Sequence, residues 1–273
     1  MAFLLSKGGM WTLLYFDDCL HGMLDIADES VQMILTDLPF GTTACKWDHV
    51  IPAAPMWEQF TRIIKPDGAI VLFCQQPFTS YLISSNPEMF KYMWYWRKSR
   101  PSGFVNCKLK PLKDVEEIAV FSKGTTANKA PCNMKYNPQG LIKVDKEWSR
   151  PQRYGDGKGV NPTRESHALA RVIEFTNYPR QVLDFPNPNK NLLHPTQKPV
   201  DLCEYLISTY TDPDDVVLDA CAGSGTTCVA AINTVRRYIA FENNKNYYDI
   251  AQRRINAVIA GQEKNEGKVL GAL

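Results

Sequence analysis

Apolar positions along this chain fall into short clusters that follow two different periods. Continuous apolar runs, partly β-branched, occupy Trp11 to Phe16, Val31 to Leu35, Ala69 to Cys74, Val216 to Leu218 and Tyr238 to Phe241. Such runs, bounded by turn formers, predict buried strands. Tyr92 to Arg97 and Glu117 to Phe121 read as two further strands. Between them lie stretches with helical spacing: Leu20 to Ala27, Met56 to Ile64, Phe78 to Ser84, Val200 to Thr209, Thr226 to Thr234 and Tyr247 to Ile259. Lys65-Pro66-Asp67-Gly68 is expected to end the second of these. The alternation predicts an α/β fold whose mostly parallel, doubly wound sheet is covered on both faces. Ligand sites then belong at the carboxyl ends of its strands.

Length and composition narrow this only a little. A chain of 273 residues, 44% hydrophobic, can bury a sizeable core as one domain with an insertion or as two. No apolar run approaches the roughly 18 residues that span a bilayer. The start, MAFLLSKGGMW, has no basic leader, so no signal peptide is expected. Eight cysteines are scattered without a C-x-x-C pair, which suits reduced thiols in a cytoplasmic protein and argues against any metal site.

Charge becomes informative once it is divided. Residues 124–189 carry ten Lys and Arg against six Asp and Glu, a local excess of +4, while the rest carries 21 against 23. That segment also holds seven of the 18 prolines and shows no sustained periodicity. It is either a solvated insertion or a loop-rich basic module that meets a polyanion, and aromatics such as Tyr136, Trp148, Tyr154 and Tyr178 argue against plain disorder. A second basic stretch, RKSRPSGFVNCKLKPLK, places Arg97, Lys98, Arg100, Lys108, Lys110 and Lys113 in a loop between two predicted strands.

Two strand ends carry candidate chemistry. The first strand with an acid at its end reads MILTDLPFGTT, closing on Asp37-Leu38-Pro39-Phe40. The other reads VVLDACAGSGTTCV: a strand into Asp219, a turn with Gly223 and Gly225, and a helix opened by Thr226-Thr227. Glycines there permit positive φ and close approach of a ligand, and the helix start offers free N–H groups. A phosphate-binding loop would need Lys after its last glycine, and Thr226 stands there. Glu242, 23 residues beyond Asp219 at the next strand end, is placed to accept ribose hydroxyls. The pair points to a nucleoside-containing ligand without a diphosphate.

Three segments in this order resemble one family. Asp37-Leu38-Pro39-Phe40 looks like the D-P-P-Y catalytic motif of S-adenosylmethionine-dependent DNA amino-methyltransferases. DACAGSGTT is similar to their cofactor loop, usually D-P-F-x-G-S-G-T-T, and His194-Pro195-Thr196-Gln197-Lys198-Pro199 resembles the H-P-T-Q-K-P segment before it. Catalytic motif first and cofactor loop last resembles the β-class permutation. The resemblance implies a circularly permuted class I methyltransferase fold, Rossmann-like, from residues 1–123 and 190–273. It makes residues 124–189 the DNA target-recognition insertion.

It also implies roles. Asp219, Ala222, Gly223, Ser224, Gly225, Thr226 and Thr227 would surround the methionine part of the cofactor, Glu242 its ribose and Asp18 its adenine amine. Thr196 and Lys198 would sit near the methionine carboxylate. Arg97, Arg100, Lys108, Lys110 and Lys113 would meet DNA. A restriction endonuclease partner and a homodimer stay open, and the setting would be the cytoplasm of a bacterium or a phage-infected cell. Cys221 stands where phenylalanine is usual, and Leu38 and Phe40 replace Pro and Tyr.

The chemistry of the motif tolerates those replacements. An exocyclic base amine is a poor nucleophile because its lone pair is delocalised into the ring. The Asp37 carboxylate and the backbone carbonyl of residue 38 can accept hydrogen bonds from both its protons. Any residue at 38 keeps that carbonyl, Pro39 fixes φ, and Phe40 keeps a stacking face for a base that has left the helix. Asp in first position resembles adenine-N6 enzymes. The alternatives are a cytosine-N4 enzyme, for which Ser in that position is commoner, and a DNA-binding protein that keeps the cofactor fold without turnover. RNA and protein amide methyltransferases rank behind them.

Overall fold

The computed structural model describes residues 12–42, 48–148, 171–188 and 197–270. The chain divides into two compact units, one of residues 138–180 and one of the residues on either side. The strands are β1 (Thr12–Phe16), β2 (Val31–Asp37), β3 (Ile64–Cys74), β4 (Phe90–Ser102), β5 (Lys113–Phe121), β6 (Ile142–Trp148), β7 (Arg171–Thr176), β8 (Val182–Phe185), β9 (Val216–Asp219) and β10 (Arg237–Glu242). The helices are α1 (Cys19–Gly22), α2 (Ala53–Ile63), α3 (Phe78–Ser85), α4 (Val200–Tyr210), α5 (Thr226–Asn233) and α6 (Lys245–Leu270).

The larger unit holds an eight-stranded sheet in the order β1-β10-β9-β2-β3-β5-β4-β8. Its strands are parallel except β5, which runs against both β3 and β4. The chain therefore enters at an edge, beside its own last strand, as a permuted doubly wound sheet does. Central strands buried on both faces read as continuous apolar runs, and β2 is buried from Val31 to Thr36. On one face Met33, Leu35, Val71 and Phe73 pack with Leu202, Leu206 and Tyr210 of α4, Ala230 of α5 and Ala251 of α6. On the other, Ile34, Ile70 and Leu72 pack with Phe60 and Ile63 of α2 and Phe78 of α3. Each fully buried side chain of this size contributes about 1.5–3 kcal/mol relative to exposure.

Four expectations shift. Leu20 to Ala27 is not one helix: α1 stops at Gly22 and a 3-10 turn, Met23–Asp25, follows. Gly22 packs under Phe241, whose ring would lie 2.1 Å from any added Cβ. Lys65 to Gly68 is not a free turn but the bulged start of β3, where the register passes from Val31↔Ile64 to Met33↔Ala69. The basic loop is shorter than expected, since residues 97–102 continue β4 and Lys113 begins β5. Finally, residues 124–137 and 181–188 belong to the sheet unit, with β8 its edge strand beside β4.

The smaller unit contains the antiparallel pair β6–β7, from Ile142↔Thr176 to Trp148↔Arg171, with a register shift between Lys143 and Lys146. Asn177, at φ 61°, donates from Nδ2 to the Gly140 carbonyl at 2.7 Å and closes its end. Ile142 and Val144 are exposed.

Candidate active site

The two acidic strand ends meet because β2 and β9 are neighbours, with Met33 opposite Val217 and Ile34 opposite Leu218. Asp37 and Asp219 therefore leave the sheet on the same edge. From β2 the chain goes on to β3 on one side, and from β9 to β10 on the other, which opens a crevice between them. A cavity of about 1070 Å³ lies there, lined among others by Asp18, Asp37, Phe40, Asp219, Gly223 and Glu242.

Asp37 is held by Lys198, whose Nζ donates to Oδ2 at 2.6 Å. Lys198, 8% exposed, also pairs with Glu116 of β5 at 2.9 Å, and Glu116 pairs with Lys98 of β4 at 2.6 Å. Buried charges persist only when paired, and here four alternate in sign. Burial pushes the Asp37 carboxyl up to about 6, with Lys198 opposing and Glu116 reinforcing the shift. Burial works the same way on Glu116, yet the two ammoniums hold it down at about 2. Lys198 is held above its usual range by Asp37 and Glu116, against its burial. Among the described residues Asp37 Oδ1 is buried without a hydrogen-bond donor. Asp37 thus keeps acceptor capacity beyond its bond to Lys198. Leu38 is buried, and Phe40 lies against Phe78 of α3 with ring centres 5.1 Å apart and planes 29° from parallel. Pro39 lines the cavity beside them.

The glycine turn is built differently at its two glycines. Gly223, at φ 52°, lines the cavity and donates its N–H to Glu242 Oε2 at 2.8 Å. Gly225, at φ 76°, does not line it: an added Cβ would stand 3.1 Å from the Cβ of Ala251, so this glycine serves the packing of α6. Glu242 Oε1 accepts from the Asn244 N–H at 2.7 Å, the Asn243 backbone N–H also bonds this carboxylate, and one acceptor site is left for a hydroxyl. Asp219 is buried, its carboxyl raised by that burial although Thr227 and Thr36 donate to it. It also accepts from the Cys221 N–H at 3.0 Å. Asp18 lines the cavity and caps α1 through the Leu20 N–H at 2.9 Å. Ala222, Ser224, Thr226 and Thr227 line it as well. A side-chain-free Gly223 facing the cavity and a carboxylate with a spare acceptor at the next strand end fit an adenosyl ligand with a sulfonium side chain.

Some expected placements differ. The ammonium of Lys198, which lines the cavity, pairs with Asp37 and Glu116. Thr196 lies outside the described residues. Of the basic residues, Arg97 forms a two-bonded pair with Asp184, Nε–Oδ1 2.5 Å and Nη2–Oδ2 2.8 Å. Lys113 donates to Gln75. Arg100 lines the cavity, its backbone N–H on Asn187 Oδ1 at 2.9 Å. Lys108 and Lys110 are exposed on a loop whose tip also exposes Phe104, Val105 and Leu109.

Sequence reasoning missed four contributors. Glu116 and Lys98 complete the charge chain. Asp48 accepts from the N–H groups of Gly41 and Thr42 at 2.8 and 3.0 Å and fixes the turn after the catalytic motif. Arg254 of α6 donates to the Ser224 carbonyl at 3.2 Å and Thr226 Oγ1 at 3.0 Å, locking the glycine turn. Glu116, Lys98 and Arg254 have no local sequence signal, because each acts on residues far away in the chain. Gln197 does have one, next to Lys198 in the H-P-T-Q-K-P segment; its Oε1 accepts from Ser224 Oγ at 3.3 Å. That segment therefore touches both the glycine turn and the catalytic acid.

Residues 31–253 match the DNA methylase family of N6 and N4 methyltransferases. The type II methyltransferase M.BglII of Bacillus subtilis is 28% identical over 262 residues, covering 87% of this chain and 67% of that protein. The M1.HpyAVI–SAM complex superposes with a TM-score of 0.58 at 23% identity, covering 89% of this chain and 99% of that one. The cytosine-N4-specific PvuII DNA methyltransferase gives 0.59 at 18% identity, covering 93% and 95%. These superpositions bear out the class I methyltransferase fold expected from the sequence, and the match across most of the chain settles its membership: it belongs to the DNA methylase family of S-adenosylmethionine-dependent N6/N4 methyltransferases.

Proposed function

We propose that the chain transfers the methyl group to the N6 amine of an adenine turned out of duplex DNA, at Asp37. The observation that carries this reading is a carboxylate pinned by Lys198 at 2.6 Å, lining the same cavity as the glycine turn and retaining an oxygen without a donor among the described residues. S-adenosylmethionine supplies an electrophilic methyl group when bound. Gly223 and Glu242 would hold its adenosyl part, and Asp18 would accept from its adenine amine. Asp37 and the Leu38 carbonyl accept hydrogen bonds from the two protons of the target amine. That draws its lone pair out of conjugation and turns it toward the cofactor side. Phe40, braced by Phe78, offers the base an aromatic face in place of the lost stacking. Lys108 and Lys110 contact phosphates, and the unit of residues 138–180 reads the target sequence.

Asp as the first residue of the motif favours adenine over cytosine. Mass spectrometry of digested DNA after incubation with the protein and methyl-labelled cofactor tests this directly. N6-methyladenine is expected; N4-methylcytosine would overturn the base assignment, and absence of transfer would leave a binding protein.

A further inference from the structure

The mechanism above uses Asp37 and leaves Glu116 and Lys98 without a task. They come from neighbouring strands, β5 and β4, and neither belongs to any of the three motifs. Glu116 is 7% exposed and Lys98 is nearly as enclosed. A purely structural pair could sit anywhere in this sheet, and desolvation makes buried ion pairs poor stabilisers compared with apolar packing. This pair touches Lys198, which touches Asp37.

We propose that Glu116, itself anchored by Lys98, is a positioning residue that seats the Lys198 ammonium on Asp37 and so fixes how the catalytic carboxylate is presented to the target amine. The proposal rests on Asp37 as the amine acceptor. The geometry supports it in sequence. Lys98 Nζ lies 2.6 Å from Glu116 Oε2, Lys198 Nζ lies 2.9 Å from Oε1, and the same Nζ lies 2.6 Å from Asp37 Oδ2. Lys198 also stands 5.0 Å from the ring centre of Phe73, and Lys98 5.1 Å from that of Trp96, so both stems are packed in place. With one ammonium bridging two carboxylates, the rotation of Asp37 is set by where Glu116 holds Lys198.

The arrangement also sets charge. The groups acting on Asp37 are Lys198 from the segment before α4, Glu116 of β5 and Asp219 of β9. Those acting on Glu116 include Lys98 of β4 and Lys198. The Cys203 thiol of α4 lies within reach of both Asp37 and Lys198, and burial keeps it neutral. Glu116 opposes ionisation of Asp37, whereas Lys98, by drawing on Glu116, favours it.

Opposite signs give the test. The carboxyl signal of Asp37 would be followed by NMR against pH in the cofactor-free protein, assigned with Asp37→Asn. The acid limb of methyl transfer to DNA would be measured in parallel. Glu116→Gln should move the Asp37 titration and the limb to lower pH by about one unit, as loss of a nearby like charge does. Lys98→Met should move both to higher pH. If Glu116→Gln does not fold, Lys98→Met alone still reads the chain. Two variants that lose activity or stability with an unmoved Asp37 titration, or that move it in the same direction, would overturn the proposal. Full transfer by Asp37→Asn would instead sink the mechanism on which it rests.

Discussion

Lys198 and Lys108 carry the same ammonium on the same stem, yet one is 8% exposed between two carboxylates and the other projects into solvent from the loop after β4. The strand-end site and the basic surface differ in this way throughout. At the site each charge has a partner fixed by burial, so its function depends on a few angles and distances. On the surface Lys108 and Lys110 stand exposed, where they would act through summed charge, and Arg97 is already engaged by Asp184. Substitutions at the first region should therefore break chemistry while sparing DNA affinity, and substitutions at the second should do the reverse.

The largest expected effect is at Asp37. Asp37→Ala should nearly abolish transfer while leaving much of DNA and cofactor binding, measured separately by gel shift and by calorimetry. Asp37→Asn keeps the volume and loses the charge. A hydrogen bond to a charged group exceeds a neutral one by about 1 kcal/mol or more, so transfer should slow at least about tenfold. Undiminished turnover in the alanine variant would remove the acid from the mechanism.

Next comes Gly223. A valine there would need φ near 52°, a region L side chains rarely adopt, and would project toward the cavity beside the Glu242 contact. Binding of S-adenosylmethionine should be lost in a protein that still shows native circular dichroism. Gly225→Ala makes the contrast sharper: it should cost stability through Ala251 and act on cofactor affinity only indirectly.

Acid should act on the site alone. Asp37 titrates near 6, burial being the main cause, and it must be ionised to accept from the amine. Transfer should therefore be full above that pH and fall as pH drops through it. Because the folded carboxyl is raised from its ordinary 3.8, the folded protein binds the extra proton first. Asp37 thus disfavours the folded state as pH rises from about 4 to 6, and Asp37→Asn should remove that component of the stability profile.

What the sequence disclosed divides along the same line. Strand ends were legible because a buried strand is an apolar run, and because an acid, proline and aromatic after it, or an acid and glycines after it, are local patterns. Their adjacency comes from the sheet, through the pairing of β2 with β9. Glu116 and Lys98 were opaque: Glu116 sits in a mixed strand beside Glu117, and Lys98 among five other cations in a stretch that looked wholly exposed. Only the sheet, by laying β4 on β5, turns them toward each other. The pair β6–β7 did carry a local signal, the alternation in Ile142-Lys143-Val144-Asp145 and Ile173-Glu174-Phe175-Thr176.

Smaller effects belong to the surface. Replacing Lys108 and Lys110 together with alanine should weaken DNA binding evenly across sequences and lower the salt slope of log K by about two. Transfer at saturating DNA should be unchanged. An unaltered slope would exclude both from the phosphate contacts.

Arg97 should give the smallest effect, and its sign is the informative part. An exposed ion pair stabilises little, and a guanidinium committed to Asp184 by two hydrogen bonds is poorly available to phosphate. Arg97→Ala should then change DNA affinity by no more than about twofold. Asp184→Ala removes the competitor and leaves the cation on the exposed face of β4, so it should tighten binding and steepen the salt dependence. If Arg97→Ala instead weakens binding as much as the double lysine change, Arg97 exchanges Asp184 for a phosphate when DNA arrives. The ion pair would then be a latch released by the substrate, and Asp184→Ala should speed DNA association without altering the rate of transfer.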